Sequence, residues 1–220
     1  MTDGPLLTQP DELPSSLPIF PLAGCILLPG GQLPLNIFEP RYLEMCRAAM
    51  ANEKIIGMVQ PTDPRDAAEF PAVYATGCAG RITEFEETDD HHFLITLTGL
   101  CRFDIVEELP ITHRYREVRA AWTPFAQDLE ACRCKLDRDA LIPMLETYFG
   151  CCGLAADWDT IAGTPDHCLV TLLAMICPFS ASEKQALLEC RDTTERSVLL
   201  VALMQIAVAA GGGDALVTRH

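Results

Sequence analysis

Lysine is nearly missing from this chain. Only Lys54, Lys135 and Lys184 occur in 220 residues, and 16 basic residues in all stand against 31 acidic ones, for a net charge of −15. No run of lysine or arginine gathers positive charge locally, so phosphate backbones and anionic membrane surfaces are repelled. Long hydrophobic runs are missing too. The longest, 198–210, is interrupted by Gln205 and falls short of the roughly 20 residues that a membrane-spanning helix needs. Residues 1–16 are acidic and proline-rich, without the basic start or apolar centre of an export signal. The expectation is a cytoplasmic protein with neither membrane nor nucleic acid as partner. No Gly-x-x-x-x-Gly-Lys-[Ser/Thr] loop is present to cradle phosphates. Ser182 and Lys184 lie two apart and do not face each other on a helix, which argues against a Ser-Lys peptidase.

What is present is globular in composition, 49% apolar and 21% charged. The length suffices for one large domain or two modest ones. Eleven cysteines are many, and the number is odd. Without export they are expected as reduced thiols, mostly acting as small buried apolar residues.

Prolines at 18, 21, 29, 34 and 40 punctuate the first apolar block. Each removes a ladder donor, so ordinary central strands are excluded. The block reads as short apolar strands near 17–22, 25–28 and 33–38, with the prolines at their edges and a Gly30-Gly31 turn joining them. A helix then opens at Pro40, whose fixed φ suits the first helical position. Leu43, Cys46 and Met50 share one of its faces, and it ends near Asn52. A strand over 55–59 follows, then a loop over 61–71 rich in proline, aspartate and alanine. Phe93, Ile95 and Leu97 alternate with Leu94, Thr96 and Thr98, as a half-buried strand would. Gly77, Gly80 and Gly99 suggest bulges or tight corners that curl a sheet. A last strand over 115–122 completes a barrel.

From Thr123 the pattern turns helical. Leu141, Met144, Leu145 and Tyr148 fall at helical spacing, with Pro143 starting or kinking that helix. Thr164 reads as an N-cap before Pro165 and Asp166, and Leu169, Leu172, Leu173 and Ile176 mark one face as far as Pro178. Ser180 to Glu183 is a capping box, and Asp192 to Glu195 has related cap chemistry. Val198, Leu199, Ala202, Leu203 and Ile206 define the final helix, which stops at Gly211. Four helices with matching apolar faces make a small bundle.

The run Leu17-Pro18-Ile19-Phe20-Pro21-Leu22, continued by Leu28-Pro29-Gly30-Gly31 and Leu33 to Tyr42, resembles the opening of the Lon N-terminal (LON substrate-binding) domain family. Gly80-Arg81-Ile82 and Gly99-Leu100-Cys101-Arg102-Phe103 are similar to a strand pair of the same family, and 179–202 resembles its helical part. The resemblance covers roughly 17–206 and is strongest at 17–47. It implies an α+β fold: a PUA-like β-barrel over 17–122 and a helical bundle over 123–210, between a flexible start (1–16) and tail (211–220). It further implies a stand-alone bacterial member without ATPase or peptidase domains. Such a chain is a non-catalytic module that recognises protein or peptide segments, in connection with ATP-dependent proteolysis or quality control.

Phe38, Glu39, Arg41 and Tyr42 stand at the strand-to-helix corner, in the most specific part of the motif, and are the candidate partner-binding residues together with Arg102. Two readings of the corner remain. Glu39 and Arg41 tie it together while Phe38 and Tyr42 pack, or the corner borders a groove that receives a segment of another protein. Arg102 has the alternative of pairing with an acid of a neighbouring strand, and Phe103 reads as core. Asp89-Asp90-His91-His92 could ligate a metal but falls where a hairpin turn is expected. Cys132, Cys134, Cys151, Cys152, His167 and Cys168 lack the Cys-x₂-Cys spacing of zinc knuckles. No metal and no cofactor are therefore expected. Other function classes are a small-molecule binder with its ligand between barrel and bundle, RNA binding, disfavoured by the charge, and an independent hydrolase, the least supported.

Overall fold

The computed structural model describes residues 13–130 and 136–211. The expected flexible ends lie largely outside these residues, as do Cys132 and Cys134. The chain divides into two compact units between Ala131 and Cys132.

The first unit holds β1 (Ser16–Pro21), β2 (Gln32–Ile37), α1 (Pro40–Met50), β3 (Ile55–Val59), β4 (Thr76–Glu87), β5 (Phe93–Glu108) and β6 (Arg116–Ala121), followed by a 3-10 segment, Thr123–Leu129. The strands run in the order β2-β5-β4-β3-β1-β6, and β6 also pairs with β5, which closes a barrel. β5 makes this possible by its length. Its first half pairs with β2, its last residues pair with β6, and β4 runs along it from Phe93 to Asp104. The extra residues Leu100 and Val106 on β5 and Thr83 on β4 shift the register and bend the sheet.

The prolines of β1 are accommodated by a division of labour. Residues 16–19 pair with β6 and 19–21 with β3, so Pro18 precedes the β3 ladder and Pro21 lies beyond the β6 ladder. β1 and β2 do not pair with each other, contrary to the expectation of a joined pair. Between them, 25–28 forms no strand. Ile26, Leu27 and Leu28 are instead driven into the core, and Gly30 and Gly31 bond the Gly99 backbone. The Gly-Gly turn itself forms as expected: Gly31 N–H donates to the Leu28 carbonyl, and Gly30 has φ +74°, the geometry of a Pro-Gly type II turn.

The barrel core gathers Leu17, Ile19, Ile55, Val59, Cys101, Phe103, Val118 and Trp122. Phe103 and Trp122 meet with ring centroids 5.6 Å apart. Gly77 is a spacer rather than a corner, since a Cβ there would stand 2.8 Å from the Phe103 ring. Leu13 is buried, and the Trp122 indole donates to the Pro14 carbonyl at 3.0 Å, so 13–16 belong to the barrel. The 3-10 segment packs on β5.

The second unit comprises α2 (Arg138–Cys152), α3 (Trp158–Gly163), α4 (Asp166–Ile176), α5 (Ala181–Glu189) and α6 (Thr193–Ala209). α2, α4 and α5 all pack against α6. α2 begins five residues before Pro143, which sits exposed inside it. The Ser180–Glu183 capping box forms, with Glu183 accepting the Ser180 N–H at 2.7 Å. Asp192 caps α6 through the Glu195 N–H at 2.8 Å. Thr164 does not cap α4. Its hydroxyl donates to the Thr160 carbonyl, and Asp166 instead binds Leu136 N–H and Arg138. The expected apolar faces hold in part: Leu169, Leu173 and Leu203 are buried, but Leu172, Ile176, Val198 and Ile206 are exposed, and Val170, Ala174, Leu200 and Met204 are buried in their stead.

Candidate functional site

The corner between β2 and α1 separates into a latch and an outward-facing ring. Glu39 is the N-cap residue of α1, yet its side chain does not cap. It accepts instead from Arg41, at 3.0 Å from Nε and 2.9 Å from a terminal guanidinium nitrogen. The guanidinium also donates to the Glu69 carbonyl and lies 4.5 Å from the Tyr42 ring centroid. Arg116 holds the same loop by donating to the Pro71 carbonyl at 2.7 Å. Arg41 and Arg116 thus strap the 61–71 loop to the barrel through backbone carbonyls.

At Tyr42 the structure follows the packing alternative for the corner. Tyr42 is 6% exposed and packs on Phe20 with centroids 4.3 Å apart. Burial pushes its phenol above the ordinary value. The buried face of α1 is Tyr42, Met45, Cys46 and Ala49, so Leu43 and Met50 are only half-buried. Helical spacing alone fitted either face, and the Tyr42–Phe20 contact selects one. Arg102 pairs with an acid, the alternative to partner binding, though not with one on a strand. It is 1% exposed, and its partner Asp128 lies in the 3-10 segment rather than on a strand. The contact is bidentate, 2.8 Å on each arm, and Asp128 also accepts the Arg102 backbone N–H at 3.1 Å. Arg102 offers a partner no surface.

Phe38 differs from the other corner residues in being 59% exposed. It follows Ile37, which is buried and pairs with Phe93, so the pleat turns Phe38 to the outer face. There it meets His92, with ring centroids 5.7 Å apart. The next outward row along the sheet is Asn36, Leu94 and Glu86, and the one after it is Pro34, Thr96 and Glu84. Leu94 is 41% exposed. Its position carries a signal the sequence reading passed over: Leu94 is an apolar residue in the polar phase of an alternating strand, beside Thr96 and Thr98. Glu84 accepts from the Thr96 hydroxyl at 2.6 Å. β2 is the edge of the sheet at this point, and Pro34 sits in its middle.

The Asp89–His92 segment is the β4–β5 hairpin turn, with His91 at φ +62° and reciprocal backbone contacts between Thr88 and the histidines. The Thr88 hydroxyl bonded to Asp90 holds that carboxyl below its usual range. Among the described residues no three histidine, cysteine or acidic side chains gather as a metal site would require. His167 and Cys168 contact each other at 3.3 Å, Cys151 is exposed and Cys152 is buried. Burial pushes the Cys46, Cys101 and Cys177 thiols up to about 12, so these thiols stay protonated at neutral pH and are poor nucleophiles.

Comparison with known proteins agrees with this architecture. A family model described as the ATP-dependent protease La (LON) substrate-binding domain matches residues 16–150. The chain is 28% identical over 212 residues to Lon protease 2 of Myxococcus xanthus, covering 91% of this chain and 24% of that protein. It is 29% identical over 106 residues to Lon protease of Anaeromyxobacter dehalogenans, covering 47% of this chain and 12% of that one. The chain therefore spans a quarter or less of these relatives. Among solved structures, a Lon N-terminal domain protein from Xanthomonas campestris superposes with a TM-score of 0.59 at 23% identity, covering 85% of this chain and 97% of that one. The N-terminal domain of Mycobacterium avium complex Lon protease gives 0.58 at 17% identity, covering 86% and 98%. On the family-model match, with the fold in agreement, this chain belongs to the LON substrate-binding domain family.

Proposed function

We propose that this chain is a non-catalytic module that binds segments of other proteins through the outer face of β2, β5 and β4. The observation that carries the reading is Phe38, a large aromatic left 59% exposed beside His92 and Leu94, while its corner neighbours Glu39, Arg41 and Tyr42 are consumed by the latch. Exposed aromatics on a rigid sheet make favourable anchors, because they bury large area and lose little conformational freedom. Membership of a substrate-binding family supports the class of partner. Burial of the Cys46, Cys101 and Cys177 thiols, and of Lys184, which donates to the Met175 carbonyl while the Ser182 hydroxyl contacts that of Ser180, supports a role without catalysis. The description of the matching family, a substrate-binding domain of an ATP-dependent protease, supports a connection with ATP-dependent proteolysis, and none of the described helices is long and apolar enough to cross a membrane.

The test compares Phe38→Ala with Tyr42→Ala, using a fluorescently labelled, permanently unfolded protein as the probe. Phe38→Ala is expected to weaken binding about tenfold or more, while stability changes by about 0.5 kcal/mol or less, as for other surface substitutions. Tyr42→Ala is expected to cost about 3 kcal/mol of stability, in the range for large aromatic truncations in a core. Unchanged affinity in Phe38→Ala would move the site elsewhere.

A further inference from the structure

The outer face of β2, β5 and β4 is chemically lopsided. Its apolar contacts, Phe38, Leu94 and Pro34, line up with Asn36 on the open edge and with Glu86 and Glu84 on the β4 side. The carboxylates stand one strand away from Leu94 and Thr96, about 5 Å across the sheet, and Glu84 and Glu86 are both exposed. Asp90 adds a third carboxylate beside His92, at 3.4 Å. Its bond from Thr88 keeps it ionised below the usual carboxylate range. Among the residues in these outward rows the one cation is Arg81, which shares the far row with Gln32 and Thr98, three rows from Phe38. The −15 charge of the whole chain acts in the same direction.

We infer that the segment bound on this face is an extended apolar stretch that carries lysine or arginine. This rests on the reading of the face as a segment-binding site and names the class of segment. An aliphatic or aromatic side chain covers Leu94 and Pro34. A neighbouring cation is served twice, by the Phe38 ring face and by Glu86 or Glu84 across the strand. An acidic segment meets the same apolar anchors but is repelled by three carboxylates, which makes the discrimination a matter of charge rather than of shape. Main-chain pairing contributes little, because Pro34 interrupts the row of donors that an added strand would use on the β2 edge.

The experiment uses the full chain and three labelled dodecapeptides with identical leucine and phenylalanine positions, whose two variable positions hold lysine, glutamine or glutamate. Fluorescence anisotropy is read at about 0.05 M and about 0.5 M salt, between which screening shortens several-fold. The expected order is lysine tightest and glutamate weakest, at least about tenfold apart at low salt and converging at high salt. Glu84→Gln/Glu86→Gln is expected to narrow that ratio to within about threefold. Equal affinity for the three peptides, with binding still lost in Phe38→Ala, overturns the charge inference and leaves the segment-binding reading standing. A lysine preference that survives Glu84→Gln/Glu86→Gln places the discrimination on another surface and also overturns it. No binding of any peptide overturns both.

Discussion

Arg102 and Asp128 form the kind of contact that is revealing when broken. The guanidinium is 1% exposed and the carboxylate 9%, and the ring of Phe125 lies 4.5 Å from the cation. Removing both charges from such a site is often tolerated, whereas removing one leaves the other buried and uncompensated. Asp128→Ala is therefore expected to lower stability by about 3–5 kcal/mol, measured by urea denaturation. Combining Arg102→Met with Asp128→Leu should recover most of that loss. If Asp128→Ala cost less than about 1 kcal/mol, the pair would be behaving as a surface salt bridge and its burial would be misjudged. The same residue shows how position decides role. The sequence leaves Arg102 between partner binding and pairing with an acid, and nothing local in Gly99 to Phe103 announces that Asp128, 26 residues later, closes over it.

Elements whose signals are local were legible, and those that depend on distant partners were not. The capping box at Ser180, the Pro-Gly turn at 28–31 and the start of α1 at Pro40 each follow from chemistry within four residues. The pairing of β1 does not, since it joins β3 in parallel, 38 residues away in sequence, and β6 antiparallel, 97 to 103 residues away. Nor could 25–28 be distinguished from a strand, because Ile26-Leu27-Leu28 is equally apolar whether laddered or simply buried. In the candidate site, Phe38 was legible as part of the motif, but the exclusion of Tyr42 needed the Phe20 contact and the relevance of Leu94 and Glu86 needed the register. Gly99 is where the crossing segment and the barrel touch. A Cβ there would lie 2.0 Å from the Leu28 carbonyl oxygen, a clash with backbone that no side-chain rotation relieves. Gly99→Ala is expected to cost about 3 kcal/mol, at the upper end of overpacking effects. Gly24→Ala, at φ +69° with open space around it, should cost only the left-handed strain of about 1–2 kcal/mol. Chemical denaturation midpoints of the two variants decide this, and equal shifts would mean that the 25–28 segment yields rather than pins β5.

On the scale of the whole molecule, two electrostatic effects of opposite sign set the response to acid. The −15 charge repels itself at pH 7 and diminishes as carboxylates take up protons, which favours the folded state as pH falls at first. Against this, specific carboxyls in each unit are held below their ordinary value of 3.8: Asp90 by the Thr88 hydroxyl, Asp157 by the Thr160 hydroxyl, and Asp166 by the Leu136 N–H and then Arg138. A carboxyl with a lowered folded value binds fewer protons when folded than when unfolded. Its contribution is fully present above the unfolded value and is lost as pH falls through the folded one. The melting temperature should therefore stay level or rise between pH 7 and about pH 5 and fall below about pH 4. Asp166→Asn should be less stable than wild type at pH 7, because Arg138 loses its ionic partner, and should lose less on going from about pH 5 to about pH 3. Thermal melts of both proteins at the three pH values provide the check. A wild-type melting temperature at about pH 3 that matches the value at about pH 5 would show that these hydrogen-bonded carboxyls do not govern acid stability, and that diffuse charge repulsion outweighs them.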